Sequence, residues 1–481
     1  MTVFSSILKT DGTKIVDASG KQVVLKGAGL GGALNMENFI TGYSGHETEH
    51  KKAIEEVLGK KKTDYFFDRF YDYFWTEADA EFYAGMGLNT LRIPFNYRHF
   101  FDDDAPGVIK PSGFALLDRM VDRCAKYGIY VVLDLHAVPG GQNQDWHSDS
   151  AIHQALFWVH RDFQDRVINL WVEIAKHYKG DARIAGYNPV NEPADPEHTR
   201  LWDFYVRVEK AIREIDPDHI LFLDGNTYAG DFTHFGKPLP NTVYAIHDYA
   251  LYGFPGFEQY AGKSEQDDKL RRQFLRKVKV ANEANVPVWN GEFGPVYEPE
   301  VVYPGAPATI SIEENVATNV GRYNMLAAQL RIYRESNISW SIWTYKDVGI
   351  QGLVTVSPNS PWYKKFGDFI EKKKRLGADF WGAHPDADAD ALYTALAEHF
   401  KKEIPEQFHK KMYPPLWDIK RQITRVSREI VLSSYLCYEY AEFFRGMTEP
   451  ELDELAKSFC IENCDKRHLL NKYLEEDART A

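Results

Sequence analysis

The chain has 481 residues, of which 44% are hydrophobic and 26% charged, with 34 glycines, 23 prolines and 4 cysteines. These values are ordinary for a globular protein and exclude a disordered chain, a collagen and a small disulfide-stapled fold. The formal net charge of −13 argues against a nucleic-acid partner, because an acidic surface repels the phosphate backbone.

The beginning of the chain and its few cysteines indicate a cytoplasmic protein. Met1–Thr10 lacks the basic start and the long apolar stretch of a signal peptide. No apolar run in the sequence approaches the roughly 18 residues that are needed to span a bilayer. We therefore expect a cytoplasmic location without a transmembrane segment. A secreted mature form stays open, and a monomer is the favoured oligomeric state.

The first structural pattern along the chain is a hairpin, which Gly12–Asp17 and Lys21–Leu25 predict across an intervening turn. Short apolar runs then recur between helical stretches. These runs are rich in Val, Ile, Leu and Trp without clean alternation, which is typical of strands buried on both faces. Eight runs are predicted as strands: Gln22–Ala28, Leu88–Phe95, Ile129–Leu135, Ile184–Val190, Ile220–Asp224, Val243–His247, Val286–Asn290 and Ile338–Thr344.

Amphipathic helical stretches separate these strands. A strand followed by a helix, repeated eight times, predicts an α/β fold, the (β/α)8 TIM barrel. A doubly wound open sheet is the alternative architecture. The predicted helices include Gly113–Lys126, Ala151–His177, Thr199–Ile215, Gln266–Ala284 and Glu314–Glu335.

After about Phe366 the pattern becomes helical. The charged run Glu371–Arg375 is interpreted as a solvated face, and three helices without an intervening strand are predicted after it. We therefore divide the chain into a barrel with its hairpin, residues 1–365, and a helical extension packed on the barrel, residues 366–481. A separate helical domain is the alternative. The three predicted helices are Asp386–Phe400, Asp418–Phe444 and Pro450–Leu474.

Polar side chains end most of the predicted strands. Active sites of such barrels lie at the carboxyl ends of the strands, so these side chains should converge on one rim. Burying ionisable groups together is costly unless they pair, and such clusters are typical of sites that tune pKa values. The rim residues are Arg92, His136, Asn191, Glu192, His247, Glu292 and Trp343.

The two glutamates of this rim suit glycoside hydrolysis. One carboxyl group must donate a proton to the leaving oxygen, while the other must be ionised beside the anomeric carbon. Arg92 beside a carboxylate would lower its pKa, and a second glutamate near that negative charge would keep its proton. We therefore assign Glu292 as the nucleophile and Glu192 as the acid/base.

The strand ends also carry a family resemblance. Asn191-Glu192-Pro193 after one strand and Glu292-Phe293-Gly294 after another resemble glycoside hydrolase family 5, a clan A family of (β/α)8 enzymes. The ordered family set of Arg, His, Asn-Glu, His, Tyr, Glu and Trp falls on these seven rim residues and on Tyr249, with none missing. The resemblance implies a retaining double displacement with the two glutamates in the roles assigned above.

The same resemblance implies roles for the other residues of this set. Asn191 would bind the sugar 2-hydroxyl, Arg92 and Tyr249 would hold Glu292, and Trp343 would stack under the sugar. No metal or organic cofactor is expected, because two carboxylates and water suffice for the reaction. Further substrate contacts are expected from His136, His247, Trp146 and Asn143.

The substrate is a carbohydrate or glycoside whose identity the sequence narrows only in part. Gly27–Gly32, Phe74–Phe100 and Leu135–Asn143 are most similar to the exo-β-1,3-glucanase and glucosylceramidase-like branches, which act mostly on terminal glucose. This similarity implies an exo-acting β-glycosidase with glucose as the first choice. Ala33–Glu37 departs from the glucanase pattern, in which a Trp follows the glycine pair. An endo-β-glucanase and a non-catalytic carbohydrate-binding protein on the same barrel are the alternatives.

Three short motifs point to other functions. His46-Glu47-Thr48-Glu49-His50 matches the HExxH pattern of zinc peptidases, but its charged surroundings favour a solvated loop–helix junction. Gly27–Gly32 matches the dinucleotide pattern GxGxxG, but no helix and second strand follow promptly. Cys460 and Cys464 lie one helical turn apart without further ligands and are interpreted as partly buried thiols.

Overall fold

The computed structural model describes residues 4, 6–378, 381, 387–415 and 417–480. Its strands belong to three sheets, namely an N-terminal hairpin, a barrel and a small three-stranded sheet. In chain order they are β1 (Lys9–Asp11), β2 (Lys14–Val16), β3 (Lys26–Gly29), β4 (Thr90–Asn96), β5 (Tyr130–Ala137), β6 (Ile184–Asn188), β7 (Ile220–Asp224), β8 (Thr242–His247), β9 (Val288–Glu292), β10 (Ser339–Ile342), β11 (Lys346–Asp347), β12 (Val354–Val356) and β13 (Cys464–Lys466).

The barrel consists of β3 to β10 in chain order and is closed by pairing of β10 with β3. All neighbouring strands are parallel. The predicted (β/α)8 fold is therefore confirmed, and each predicted strand overlaps the observed one. Strand residues such as Ile93, Leu133 and Ile246 are fully buried. This burial explains why the apolar runs do not alternate with polar residues.

The hairpin is also present, but its strands begin earlier than predicted. β1 pairs with β2 in antiparallel register, with Thr10 opposite Ile15. The predicted second strand, Lys21–Leu25, meets β2 only at one bridge, Val16–Gln22. The hairpin precedes the barrel and does not contribute to its carboxyl rim.

The helices around the barrel follow the predicted stretches with one exception. The helix predicted over Ala151–His177 begins only at Arg161. The residues before it form a loop with a 3-10 turn at Leu156–Trp158. The indole of Trp158 donates to the carbonyl of Gln142 at 2.8 Å and so holds this turn in place. The described α-helices up to residue 360 are Asn38–Thr41, Glu47–Leu58, Lys60–Phe74, Glu77–Gly85, Pro111–Lys126, Arg161–Tyr178, Arg200–Arg213, Asn226–Ala229, Ser264–Glu283 and Ile312–Glu335.

The C-terminal helices pack against the barrel. The ammonium group of Lys346, after the last barrel strand, lies 2.6 Å from the carboxylate of Asp79 and 2.7 Å from the carbonyl oxygen of Phe459. The division at residue 365 stays a prediction, and one helix runs through that position. These helices are Pro361–Leu376, Ala387–Glu403, Ile419–Val426, the π-helix Ser427–Leu432, Ser433–Glu442, Glu449–Ala456 and His468–Arg479.

Two expectations for this extension are wrong, and a third falls partly outside the described residues. The helix predicted over Pro450–Leu474 is interrupted by β13, which pairs with β12 far back in the chain and so leaves no local signal. The charged run is not a solvated face throughout, because the ammonium group of Lys373 is buried and donates to two backbone carbonyl oxygens. The predicted helix start at Asp386 lies outside the described residues. Within the described part of the chain, every helix is too short or too polar to cross a membrane.

Candidate active site

The carboxyl ends of the barrel strands bring the eight residues of the predicted family set together. Arg92 lies within β4, and His247 and Glu292 end β8 and β9, where they are register partners. The remaining five end a strand or follow one closely. Seven of the eight are less than a tenth exposed, and Tyr249 is partly buried. The parallel barrel therefore produces the convergence that the strand-end pattern predicts.

Glu292 is held in its ionised form by its neighbours. Arg92 donates to one carboxylate oxygen of Glu292, and the Tyr249 hydroxyl donates to the other at 3.0 Å. Burial by itself would raise the pKa of Glu292, but His247 and Arg92 outweigh burial and hold this pKa at about 2. Arg92 is the permanent charge of the two, because burial lowers the pKa of His247.

Glu192 has the opposite environment. Burial and the negative charge of Glu292 raise the pKa of Glu192 to about 8. The imidazoles of His247 and His147 lie 2.7 Å and 3.3 Å from its two carboxyl oxygens. Its backbone has a positive φ of 45°, a conformation that is uncommon for a residue with a side chain. At neutral pH, Glu192 is therefore a proton donor and Glu292 a carboxylate.

The distance between the two carboxyl groups fits one of the two known arrangements for glycoside hydrolysis. An oxygen of Glu192, an oxygen of Glu292 and a nitrogen of His247 all lie within 4.8 Å of one another. Retaining enzymes hold their carboxyl groups about 5–5.5 Å apart, whereas inverting enzymes need roughly 6.5–9.5 Å to admit a water molecule. The observed pair is close to the retaining spacing.

Arg92 also organises the other side of the site. Its guanidinium lies 2.6 Å from the amide oxygen of Asn191 and 3.0 Å from the carboxylate of Asp134. Asp134 in turn lies 2.7 Å from His136, whose ring is stacked parallel to Trp343 with 5.4 Å between the ring centroids. One buried network thus orients the amide, the imidazole and the indole at the rim.

The sequence analysis named neither Asp134 nor Asp224 as site residues. Asp134 pairs with Arg92, and the Asp224 carboxylate accepts a hydrogen bond from the Glu192 backbone N–H at 2.9 Å. Burial raises the pKa of Asp134 to about 7 and that of Asp224 to about 6. The sequence contained a signal for both as site residues, because each is a charged residue within or at the end of an apolar strand.

The loop that follows β5 supports Glu192 from outside the barrel. Asn143 donates to the backbone carbonyl of Glu192 at 3.0 Å, and its expected contact with the substrate stays a prediction. The indole of Trp146 is buried and donates to Glu37 at 3.3 Å. Glu37 is a further carboxylate at the site. It lies in the connection after β3, so a search of the residues that end strands could not identify it. It approaches His136 at 3.6 Å.

The zinc motif does not assemble a ligand set, and the expected solvated junction is wrong, because His46, Glu47 and His50 are buried. His46 is bonded to Glu49 at 3.0 Å, whereas His50 is stacked on Tyr43 with 4.0 Å between the ring centroids. Glu47 accepts hydrogen bonds from Lys51 and from the backbone of Met36, so it is structural. Among the described residues, the one group of three potential ligands that meets is the rim cluster of Glu192, His247 and Glu292.

The glycine motif and the cysteines also have structural explanations. A Cβ atom on Gly29 or Gly31 would come within 2.6 Å or 2.4 Å of the Trp343 ring, so these glycines make room for the indole. Four helices separate β3 from β4, whereas a dinucleotide-binding unit places a single helix between its first two strands. Cys460 and Cys464 are free and partly buried, as expected.

Comparison with known proteins agrees with this geometry. The family model of cellulase (glycosyl hydrolase family 5) matches residues 48–349. A protein named beta-xylosidase from Phanerodontia chrysosporium is 52% identical over 476 residues, which are 98% of each chain. A probable glucan 1,3-beta-glucosidase A from Aspergillus fumigatus is 23% identical over 364 residues, 68% of this chain and 84% of the relative.

The similarity in fold extends to a solved structure. An endogalactoceramidase structure covers 71% of this chain and 75% of its own, with a TM-score of 0.51 and 17% sequence identity. At this identity the match supports the barrel fold alone.

Proposed function

Because the chain belongs to glycosyl hydrolase family 5 and is a glycoside hydrolase, we propose that it is a retaining, exo-acting β-glycosidase. The observation that carries the proposal is the carboxyl pair, Glu192 and Glu292, at retaining spacing and with pKa values moved apart. One member is poised to give a proton and the other to attack carbon.

In the first half of the reaction, a carboxylate oxygen of Glu292 attacks the anomeric carbon. The bond from that carbon to the leaving oxygen breaks, and Glu192 gives its proton to this oxygen, so the alcohol leaves neutral. Arg92 and Tyr249 hold the attacking group in place through its two oxygens. Trp343 stacks beneath the sugar ring.

In the second half, Glu192 is ionised and acts as a base. It takes a proton from a water molecule, whose oxygen attacks the anomeric carbon and releases Glu292. Two displacements at one carbon return the original β configuration. His247, bonded to Glu192, keeps the group oriented in both steps.

The exo preference is supported by how closely the site is enclosed. The two carboxyl-bearing residues are only 9% and 5% exposed. The C-terminal extension flanks the rim with Trp381, whose ring meets Tyr249 edge to face at 5.1 Å. Such enclosure suits a terminal sugar better than the interior of a polymer. The expected sugar is glucose, and the name of the 52% identical relative adds xylose as a second candidate.

The proposal is tested with nitrophenyl β-glucoside and β-xyloside. Wild-type protein should hydrolyse at least one, and NMR of the first product should show the β anomer. Glu292→Gln should lower kcat by about 10³-fold or more. Glu192→Gln should still release an initial burst of nitrophenol and then stall, with turnover restored by azide, which needs no base.

The control is Glu197→Gln, since Glu197 is an exposed glutamate close to Glu192 in the chain. Its activity should equal that of the wild type. Full activity of Glu192→Gln or Glu292→Gln, or an α anomer as first product, would contradict the assignment. On a β-glucan, release of oligosaccharides before monosaccharide would favour the endo-β-glucanase alternative.

A further inference from the structure

Three arginines of the C-terminal extension lie close together, outside the group of rim residues. Arg421, Arg425 and Arg428 are three or four residues apart, a spacing that places side chains on one face of a helix. The helix Ile419–Val426 continues directly into the π-helix Ser427–Leu432, and π-helical turns are frequent at functional sites. The face that carries the three arginines is therefore a candidate binding site.

Arg425 is fully buried and lacks acceptors for most of its donors. Its Nε atom donates to the backbone carbonyl of Gln144, in the loop that follows β5. Neither Nη1 nor Nη2 has a hydrogen-bond partner among the described residues. These two nitrogens carry four of the five N–H donors of a guanidinium, and a buried charged donor without an acceptor is costly. The two nitrogens therefore point to a ligand that accepts hydrogen bonds.

Other nitrogen donors near Arg425 also have no partner in the part of the chain that the structure describes. The side-chain nitrogen of Gln422, one turn before Arg425, is buried and unpartnered, while the amide oxygen of Gln422 lies 2.5 Å from His153. Arg428, one turn after Arg425, has two unpartnered nitrogens, and the guanidinium carbon of Arg428 lies 5.0 Å from the centre of the Tyr393 ring. The cluster is thus rich in donors and poor in acceptors.

The charges of the cluster are also unequal, because two carboxylates face the three arginines. Asp145 lies 3.2 Å from Arg421 and 3.8 Å from Arg425. Glu429 contacts Arg421 through one carboxylate oxygen, and the other lies 3.6 Å from Arg425 without forming a hydrogen bond. The side chains of these four residues are at most 15% exposed, and Arg428 is buried as well. Three guanidinium groups and two carboxylates leave one surplus positive charge.

Neighbouring groups do not supply the missing negative charge. Asp390 is already paired with Lys420 at 2.9 Å, so these two charges cancel. Burial lowers the pKa of His153, so this imidazole is neutral at pH 7 and adds no charge. Water satisfies free donors without neutralising a surplus charge, and a buried charge is stable only when it is paired. A small ligand with one negative charge meets both needs.

We propose that Arg425 and its neighbours bind one small monovalent anion, with chloride as the simplest ligand and formate as a carboxylate of similar size. The anion accepts hydrogen bonds from the free nitrogens of Arg425, with Gln422 and Arg428 as the nearest further donors, and balances the charge of the cluster. It stabilises the contact between the extension and the loop that contains Gln144 and Asp145. This site is additional to glycoside hydrolysis and does not depend on it.

The first test measures thermal unfolding of the full chain while sodium gluconate is replaced by sodium chloride at constant ionic strength. Gluconate is too large for an enclosed site, and a ligand that binds only the native state raises Tm with the logarithm of its concentration. Raising chloride from about 3 mM to about 300 mM should raise Tm by about 2–3 °C. Formate should act like chloride. A rise with inorganic phosphate alone, which is larger and more highly charged, would overturn the assignment to a small monovalent anion.

Two variants locate the effect. Arg425→Gln removes the unpartnered nitrogens and leaves two arginines opposite two carboxylates, so its Tm should not respond to chloride. The matched control is Arg445→Gln, which removes the same group from an exposed position of the extension, where it pairs with Glu442. It should keep the wild-type rise. An equal rise in wild type and Arg425→Gln would be a general salt effect and would overturn the proposal in favour of water at the free nitrogens.

Crystallography provides a second measurement, which needs no variant and therefore holds even if Arg425→Gln does not fold. Wild-type crystals grown with sodium bromide should show an anomalous bromide peak within hydrogen-bonding distance of the terminal nitrogens of Arg425. Bromide peaks elsewhere with none at Arg425 would overturn the proposal. Because neither measurement uses a glycoside, failure of the anion site leaves the glycosidase assignment unchanged, and failure of that assignment leaves the anion site unchanged.

Discussion

The guanidinium of Arg421 lies 3.2 Å from the carboxylate of Asp145, and this pair joins the C-terminal helices to the loop that contacts Glu192. Arg425, one helical turn later, donates to the backbone of the same loop. Two residues after Asp145, His147 lies 3.3 Å from the carboxyl group of Glu192. The extension is therefore connected to the active site through direct contacts.

Removing this connection should change the proton affinity of Glu192. The charge of Asp145 raises the pKa of Glu192, and Arg421 compensates that charge. In Arg421→Gln the pKa should rise further, so the basic limb of kcat/KM should move to higher pH and kcat should fall. The control is Arg445→Gln, an exposed arginine of the same extension paired with Glu442. Superimposable pH profiles for Arg421→Gln and wild type would contradict the coupling.

The wild-type pH profile should be bell-shaped and broad. Glu292 must be ionised and Glu192 protonated, so kcat/KM should fall as pH rises through about 8 and should persist well below the ordinary pKa of glutamate, because that of Glu292 is about 2. Initial rates with an aryl glycoside between pH 3 and 10 measure both limbs. Glu192→Gln can be measured in the presence of azide. If its kcat/KM still falls at the same high pH as that of the wild type, the basic limb belongs to another group.

Glu192 should also lower the stability of the fold at alkaline pH. Its pKa rises from 4.5 to about 8 on folding. Between these values the unfolded chain gives up a proton that the native state keeps, so stability is lost as pH rises from about 4.5 through 8. Glu192→Gln removes this penalty and should raise Tm by a few degrees at pH 8 and less at pH 5. Glu197→Gln should show no such pH dependence. An equal Tm for wild type and Glu192→Gln at pH 8 would contradict this prediction.

The buried pair of Lys346 and Asp79 should be essential for attachment of the extension. Both side chains are fully buried, and Lys346 also donates to the carbonyl of Phe459. Lys346→Met leaves the buried carboxylate of Asp79 without its counter-charge, although Thr76 and Tyr345 still donate to it, and should cost about 3–5 kcal/mol of stability. The double variant Lys346→Met/Asp79→Leu should regain part of this loss, because it removes the unpaired charge. Urea unfolding measures both, and a double variant no better than the single one would contradict this reasoning.

Strand positions and the main site residues were predictable because they depend on local rules. A parallel strand is buried on both faces, so Ile129–Leu135 and its counterparts appear as apolar runs. The barrel then brings every carboxyl end to one rim, which is why the residue closing each run, such as Glu292, belongs to the site. Asp134 and Asp224 obey the same rule.

What local rules could not decide are contacts between distant segments. β13 pairs with β12, which lies about a hundred residues earlier in the chain, and no residue near β13 in the sequence indicates this pairing. Lys373 is buried because two carbonyl groups of the Asn38–Tyr43 segment need a donor, although its neighbours in sequence are all charged.

The sequence by itself determined the barrel, the rim positions of Glu192 and Glu292 and the family, since each follows from residue order along strands that end on one rim. Only the tertiary structure decided the opposite protonation of Glu192 and Glu292 and the contact of Arg421 with the loop beside Glu192. Those features depend on distances between side chains from separate segments, because desolvation and charge interactions act through space and not along the chain.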